Sequence, residues 1–134
     1  MIAVTAAILI QDNRILIARR GPDDRLAGLW EFPGGKLETG ETPRTCLRRE
    51  LLEEFGIQTR IGPFFDETEY HYDHLSIRLL VYQAEIESGQ LRPRVHDAVC
   101  WVTPAQMSGF RFAPADRPIV TRLQSDHEWL QTRP

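Results

Sequence analysis

The amino-acid sequence predicts an α/β fold in which a mixed β-sheet is sandwiched between helices. Three observations predict it: apolar, β-branched segments recur along the chain, a helix is clearly delimited near the middle, and an apolar-periodic segment follows the last strand. Helices that alternate with strands in this way pack against the faces of one sheet. The 134 residues are enough to bury a sizeable core, so we expect residues 1–134 to form a single domain.

The strands are predicted from apolar runs and from alternation. Residues 2–10 are almost continuously apolar, which is typical of a strand buried on both faces. Alternating apolar residues in 75–86 indicate a strand with one face in the core. The predicted strands and extended segments are 2–10, 14–20, 29–32, 57–70 with a break near 62–63, 75–86 and 98–102. Turns, loops and one short helical turn are expected at 11–13, 21–28, 33–35, 88–89 and 104–107.

Two helices are predicted. The first covers Pro43–Phe55, because Glu41 or Thr42 can cap its N-terminus and proline suits the first turn. Gly56 suits the left-handed conformation that ends many helices. The second helix covers 116–131. The residues expected on the apolar sides are Cys46, Leu47 and Leu51 in the first helix, and Ile119, Val120, Leu123, Trp129 and Leu130 in the second.

Composition and charge narrow the class of protein. Hydrophobic residues make up 42% and charged residues 26%, as in ordinary globular proteins. The net charge of -3 argues against a duplex nucleic-acid binder. No apolar stretch reaches the roughly 18 residues of a membrane helix, and no secretory signal is recognisable. Cys46 and Cys100 lack the spacing of metal ligands and are expected to be buried free thiols of a reducing compartment, so we expect a cytoplasmic protein. We expect it to be a monomer or a homodimer.

One segment, residues 35–57, carries most of the chemical information. It reads G-x5-E-x7-R-E-(apolar)-x-E-E-x-G-(apolar). Its fixed positions are Gly35, Glu41, Arg49, Glu50, Glu53, Glu54 and Gly56. At average residue usage, a chance match at one start is about one in 10^8 or rarer, so the pattern is specific.

The spacing within this segment indicates a metal site. Glu53 and Glu54 follow Glu50 by three and four residues, so the three carboxylates share one face of the predicted helix. Their mutual repulsion costs stability unless cations bind there. Hard oxygen ligands in this number suit Mg²⁺, or Mn²⁺, that arrives with a substrate phosphate. Arg49 is within reach of Glu41 and Glu53 and could orient them.

The segment matches the signature of the Nudix hydrolases, which the chain therefore resembles. Residues 16–20, 28–36 and 113–118 are similar to the MutT-type nucleoside triphosphate pyrophosphohydrolases, so the resemblance covers most of the chain. It implies the Nudix fold, an α/β/α sandwich around a mixed sheet. It also implies Mg²⁺-dependent hydrolysis of (deoxy)nucleoside triphosphates to the monophosphate and pyrophosphate. The group includes enzymes that remove oxidised nucleotides such as 8-oxo-dGTP, which links them to mutation avoidance and DNA repair.

The resemblance also implies roles for single residues. The implied metal ligands are the Gly35 carbonyl, Glu50, Glu53 and Glu54. Water would attack a phosphorus between the nucleoside and the leaving pyrophosphate, and Glu50 or Glu53 would take its proton, with Arg49 beside them. Arg20 looks like the family's phosphate-contacting arginine, and Lys36 could place a charge near the leaving group.

One position departs from the pattern of this group. A further metal-associated glutamate often lies six residues before the late-strand tryptophan, which is Trp101 here, and that position is Val95. His96 and Asp97 are neighbours that could substitute, or water could complete the metal shell. The number of metal ions and the identity of the general base therefore stay open.

The base pocket is predicted from residues next to the phosphate turn and from one C-terminal residue. A base could stack on Trp30 or Phe32, of which Phe32 is preferred, and Glu31 could face the pocket, as could residues 71–74. Asp116 matches the position where the 8-oxo-guanine enzymes read the base with asparagine, and it could also cap the second helix. A protonated aspartate mimics asparagine, whereas an ionised one suits the amino group of cytosine.

Three kinds of function therefore remain possible. The first is the removal of oxidised nucleotides, and the second is hydrolysis of cytidine or modified pyrimidine triphosphates. The third is a module of this fold that binds a nucleotide without hydrolysing it. The intact Glu50, Glu53 and Glu54 argue against the third, since a pure binder needs no such triad, and Val95 is the one feature in its favour.

Overall fold

The structure, a computed structural model, describes residues 1–126. The strands are β1 (Ile2–Gln11), β2 (Arg14–Arg19), β3 (Trp30–Glu31), β4 (Gly34–Lys36), β5 (Ile57–His71), β6 (Ser76–Gly89) and β7 (Ala98–Val102). The helices are α1 (Pro43–Phe55) and α2 (Arg117–Ser125), with 3-10 turns at Ala105–Gly109 and Pro114–Asp116. Within residues 1–126, no helix is long and apolar enough to cross a membrane.

The mixed sheet is built around β1. This strand runs parallel to β6 and antiparallel to β2 and β4, while β5 pairs antiparallel with β6. Strand β2 also pairs antiparallel with β3 and β7. In the described part of the chain, seven strands thus form one sheet, one strand more than the sequence predicts, and the predicted mixed pairing is confirmed.

Both faces of β1 are buried, which explains its unbroken apolar run. Ala6, Ile8 and Ile10 lie in one core cluster, together with residues of α2. Ala7 and Leu9 point to the other face and lie in a second cluster, together with residues of α1. Successive side chains of a strand alternate between faces, so a helix on each face requires apolar residues at every position. The predicted helix–sheet–helix arrangement is confirmed.

Helix α1 has the predicted bounds and caps. The side chain of Thr42 accepts a hydrogen bond from the Thr45 backbone N–H at 3.2 Å, so Thr42 is the cap and Glu41 is not. Gly56 adopts a left-handed φ of 71° and donates its N–H to the Leu52 carbonyl. The helix buries Cys46, Leu47 and Leu51 as predicted, and it also buries Phe55.

Three predicted interruptions of the strands are wrong. Gly34–Lys36 forms β4 rather than a turn, since it pairs with β1, and a β-carbon on Gly34 would collide with the Thr5 carbonyl. Strand β5 continues through Gly62 and Pro63, where irregular pairing with β6 absorbs the proline. Ser88–Gly89 belongs to the end of β6.

The C-terminal helix begins as predicted, but its start is held differently. Helix α2 is described as Arg117–Ser125, and the predicted residues 127–131 lie outside the described residues. Asp116 precedes α2 without capping it, because no hydrogen bond joins its side chain to the first turn. Its carboxyl group turns toward Phe32 instead, which makes the capping interpretation wrong.

Candidate functional site

A cleft of about 320 Å³ opens beside β1, between the segment from β3 to β4 and the ends of α1 and α2. It joins parts of the chain that are far apart in sequence. The predicted site residues that line it are Arg20, Glu31, Phe32, Gly35, Lys36, Glu54 and Asp116. Arg49, Glu50 and Glu53 are not among the lining residues. They lie on α1, the helix that carries Glu54.

Arg49 lies at the centre of the acidic face of α1. Its Nε donates to Glu41 at 2.6 Å, and its Nη1 donates to Glu50 at 3.0 Å and to Glu53 at 3.1 Å. Its Nη2 also donates to the carbonyl of Lys36, which ties the helix to β4. The guanidinium lowers the pKa of Glu41 to about 2. The predicted contacts of Arg49 with Glu41 and Glu53 are therefore present.

Gly35 and Glu50 are in direct contact. A β-carbon at Gly35 would collide with the Glu50 carboxylate, so only glycine leaves room for that group. The Gly35 carbonyl accepts a hydrogen bond from the hydroxyl of Thr5 at 3.1 Å. One predicted backbone ligand and one predicted carboxylate ligand thus lie side by side.

Glu54 lies at the cleft end of this acidic face. Its Oε2 is buried, with no hydrogen-bond partner among the described residues. Burial, followed by the negative charge of Glu50, raises the pKa of Glu54 to about 7. Burial also raises the pKa of Glu50, although Arg49 opposes the shift. A desolvated carboxylate without a donor and with a charged neighbour is stabilised by a cation.

The Gly35 carbonyl and the carboxylates of Glu50, Glu53 and Glu54 are oxygen ligands that suit a hard divalent cation, although the three carboxylates do not converge on one position. Within residues 1–126, no three His, Cys, Asp or Glu side chains are grouped closely enough to hold an ion. The reason is visible in the ion pairs, since Arg49 draws Glu50 and Glu53 to itself. The side chain of Glu53 is 59% exposed and can turn toward an ion at little cost. Carboxylate oxygens and a backbone carbonyl are ligands that Mg²⁺ and Mn²⁺ accept.

Asp116 lies at the other end of the cleft and is buried. Its Oδ1 accepts the backbone N–H of Phe32 at 3.2 Å. Burial, followed by the negative charge of Glu31, raises the pKa of Asp116 well above its usual value. These effects favour the protonated form, in which the carboxyl group can donate as well as accept a hydrogen bond.

Two aromatic predictions for the cleft have different outcomes. The ring of Phe32 borders the cleft but is buried in the core, where its centre lies 5.5 Å from that of Phe112. Of residues 71–74, Tyr72 and His74 line the cleft. The hydroxyl of Tyr72 accepts the backbone N–H of Ala115 at 3.4 Å, next to Asp116.

The arginine expected to contact phosphate is engaged with carboxylates. Arg20 donates to both oxygens of Asp24, at 2.8 and 3.0 Å, and to Oε1 of Glu31 at 2.9 Å. These bonds use three of the five N–H groups of a guanidinium, which leaves two for a ligand. Arg20 and Glu31 both line the cleft.

His96 is the residue that sequence reasoning placed least well. Its side chain is 5% exposed, its Nε2 lies 2.7 Å from Oε2 of Glu31, and its ring stacks on Phe55. Its Nδ1 is buried with no hydrogen-bond partner among the described residues. Burial lowers the pKa of His96, but Glu31 outweighs that effect and the pKa is raised overall. The neighbour Asp97 instead pairs with Arg19 at 2.7 Å, and only its position beside Val95 in sequence hinted at His96.

Comparisons with known proteins give one family, similar sequences and similar structures. The family model described as NUDIX domain matches residues 4–122. The CTP pyrophosphohydrolase of Escherichia coli (strain K12) is 38% identical over 120 residues, which cover 90% of this chain and 89% of that protein. The 8-oxo-dGTP diphosphatase of the same strain is 33% identical over 114 residues, covering 85% and 88%. The solution structure of the E. coli ORF135 protein matches with a TM-score of 0.83 and 33% identity, covering 99% of this chain and 95% of that one.

Proposed function

Because the chain belongs to the NUDIX domain family of hydrolases, we propose that it hydrolyses (deoxy)nucleoside triphosphates to the monophosphate and pyrophosphate. The relatives named as an 8-oxo-dGTP diphosphatase and a CTP pyrophosphohydrolase, both matched over most of their length, support this reaction class. The observation that carries the proposal is the shape of the cleft. One end holds Glu54, a half-buried carboxyl group whose Oε2 is buried without a hydrogen-bond partner among the described residues, and the other end holds Asp116, a buried carboxyl group.

Nudix hydrolases need a divalent metal ion, and we propose that this ion is Mg²⁺, with Mn²⁺ as the alternative. When bound, a divalent cation offsets the negative charge that develops on the phosphate oxygens. The proposed ligands are the Gly35 carbonyl, Glu50, Glu53 and Glu54. The buried, unpartnered Oε2 of Glu54 and the close contact of Glu50 with Gly35 support this set.

Other residues of the chain would handle the proton and the phosphate groups. Glu50 or Glu53 takes the proton of the attacking water, and Arg49 holds both carboxylates in orientation. Arg20 donates its two remaining N–H groups to a phosphate oxygen. Lys36 is exposed at the rim of the cleft, where its ammonium group can accompany the leaving pyrophosphate.

The preferred base is proposed to be an oxidised purine, as in 8-oxo-dGTP. The buried Asp116 supports this choice, because a protonated carboxyl complements the adjacent donor and acceptor of 8-oxo-guanine as asparagine does. The second candidate is a cytidine or modified pyrimidine triphosphate. The 38% identity to a CTP pyrophosphohydrolase favours it. The non-hydrolysing alternative rests on Val95 alone.

We further propose that residues 1–134 form one domain that works in the cytoplasm as a monomer or homodimer. The family match over residues 4–122 supports the single domain. The free thiols Cys46 and Cys100 are typical of a reducing compartment. The net charge of -3 supports a free nucleotide rather than duplex nucleic acid as the ligand.

The proposal is tested by initial rates with Mg²⁺ against 8-oxo-dGTP, dGTP, CTP, dCTP and 5-methyl-dCTP, with identification of the products. We expect a monophosphate and pyrophosphate, and a preference for 8-oxo-dGTP. Glu50→Gln and Glu53→Gln should each lower kcat by about 10²-fold or more, and the proton acceptor should show the larger loss. Glu87→Gln, at the exposed end of β6, is the matched control. Release of orthophosphate, or full turnover by both variants, contradicts the proposal.

A further inference from the structure

Glu31 is held at both of its oxygens by residues that line the cleft. Arg20 donates to Oε1 at 2.9 Å, and Nε2 of His96 lies 2.7 Å from Oε2. An ionised carboxylate only accepts, so the His96 nitrogen in this contact carries the proton. With one donor on each oxygen, the plane of the carboxylate cannot rotate. Each oxygen still has one free lone pair for a ligand in the cleft.

His96 itself is held in place from the opposite side. Its ring stacks on Phe55 at 5.2 Å and 18°, at the last residue of α1. The loop that carries it is tied to the same turn of the helix, since the backbone N–H of Arg92 donates to the Phe55 carbonyl and that of Arg94 to the Glu54 carbonyl. His96 is therefore held by contacts on two sides, with Phe55 and with Glu31.

We propose that His96 is a positioning residue that sets the base selectivity of the cleft by holding Glu31 as a fixed hydrogen-bond acceptor. This inference rests on the proposed function, because Glu31 must face the base for its orientation to matter. Glu31 and Asp116 then form an unequal pair, in which Glu31 accepts from the base and the buried Asp116 can donate to it. A base is selected by the order of hydrogen-bond donors and acceptors along its edge. If the Glu31 carboxylate could rotate, it would therefore distinguish less well between bases.

Three variants of His96 separate this role from packing. His96→Leu keeps an apolar side chain on Phe55 but removes the donor. His96→Gln places an amide N–H near the former position of Nε2, whereas the shorter His96→Asn cannot reach Glu31. Asp97→Asn is the matched control, because Asp97 pairs with Arg19 and does not line the cleft.

The first measurement is binding of 8-oxo-dGMP, dGMP and CMP by calorimetry without metal, together with kcat and KM for the corresponding triphosphates. We define base selectivity as the Kd for the other bases divided by the Kd for the preferred base. In His96→Leu and His96→Asn, we expect this selectivity to fall about tenfold, which corresponds to the loss of one hydrogen bond to a charged group. KM should rise while kcat stays within about threefold of wild type. His96→Gln should restore most of the selectivity, and Asp97→Asn should not alter it.

A double-mutant cycle tests whether His96 acts through Glu31. Glu31→Gln should reduce selectivity to a similar extent, and adding His96→Leu to it should cause little further loss. Additive losses overturn the inference. Unchanged selectivity in His96→Leu and His96→Asn also overturns the inference. A fall in kcat with a higher Mg²⁺ requirement, at constant selectivity, overturns it too, because it would show that His96 supports the metal site instead.

The inference and the proposed function fail in different ways. A wild-type protein that discriminates among the monophosphates but hydrolyses no triphosphate contradicts the proposed function, while the binding ratios still test His96. A wild-type protein that hydrolyses triphosphates without distinguishing the bases overturns the inference alone. Circular dichroism of each variant shows that it is folded. If His96→Leu does not fold, His96→Asn against His96→Gln decides the question.

Discussion

The carboxylate of Glu50 lies so close to the backbone of Gly35 that a single added methyl group would collide with it. The two residues are fifteen positions apart, and they meet because α1 packs beside β4. The contact brings the Glu50 carboxylate of α1 against β4, the strand that contains the first residue of the signature segment. It explains in physical terms why that segment must begin with glycine.

Gly35→Ala should therefore inactivate the protein without unfolding it. The β-carbon pushes the Glu50 carboxylate away, and a displacement of about 1 Å at a reacting centre costs roughly 100-fold in rate. The measurement is kcat/KM with the preferred triphosphate, together with Tm. Gly109→Ala is the matched control, because a β-carbon there meets nothing within 4 Å. Equal activity of the two variants would show that the Gly35–Glu50 contact is not required.

Glu54 should make the metal-free protein less stable as the pH rises. Its pKa is raised from 4.5 to about 7 in the folded state, so the folded protein holds this proton more tightly than the unfolded chain. The resulting stability is complete below about pH 4.5 and is lost as the pH rises through about 7. We expect Tm to fall over this range in wild type and to fall less in Glu54→Gln. In Glu54→Gln, part of the fall of Tm with pH should remain, because the pKa values of Glu50 and Asp116 are also raised.

Magnesium should restore the stability that the metal-free protein loses as the pH rises. An ion that binds only the folded state stabilises it by mass action, and it also removes the electrostatic cost of ionised Glu54. At about pH 8, we expect added Mg²⁺ to raise Tm more in wild type than in Glu54→Gln. Glu87→Gln serves as the control for the loss of one carboxylate. A shift of the same size in wild type and Glu54→Gln would argue against Glu54 as a ligand.

Arg49→Lys should lower both activity and acid stability, although the charge is kept. One ammonium group cannot hold Glu41, Glu50 and Glu53 at once, whereas the guanidinium does. Arg49 depresses the pKa of Glu41 to about 2, so the stability from this pair is present above about pH 4.5 and is lost as the pH falls toward 2. We expect the midpoint of acid unfolding to move to higher pH and kcat to fall about tenfold or more. Arg60→Lys, in an exposed pair with Glu85, should change neither quantity.

Asp116→Asn distinguishes the two candidate bases. Asparagine keeps the oxygen that accepts the Phe32 N–H, but it does not titrate. The groups that face Asp116 are Glu31, Arg20 and Tyr72. If protonated Asp116 reads 8-oxo-dGTP, wild-type kcat/KM for this substrate should fall as the pH rises through the pKa of Asp116. The variant should keep its activity at high pH within about threefold. A variant that loses 8-oxo-dGTP activity at every pH would exclude this mode of recognition.

The sequence by itself determined what depends on neighbours along the chain. The bounds and caps of α1, its buried side and the shared face of Glu50, Glu53 and Glu54 all follow from local periodicity and cap chemistry. The family signature, residues 35–57, is a continuous segment that contains this helix, and for this reason the reaction class could be predicted. The unbroken apolar run of β1 likewise predicted a strand between two helical layers.

Only the tertiary structure decided which distant groups meet. Asp116 turns its carboxyl group to Phe32, which is 84 positions away, and His96 meets Glu31 across 65 positions. The sequence around Asp116, with Pro118 and an apolar-periodic run after it, predicts a helix cap as well as it predicts a base-binding residue. The sequence around His96 predicts a loop residue. Such pairs depend on the order of strands in the sheet and on burial of the whole chain. Local periodicity does not encode either, so the contacts of Asp116 with Phe32 and of His96 with Glu31 could not be read from the sequence.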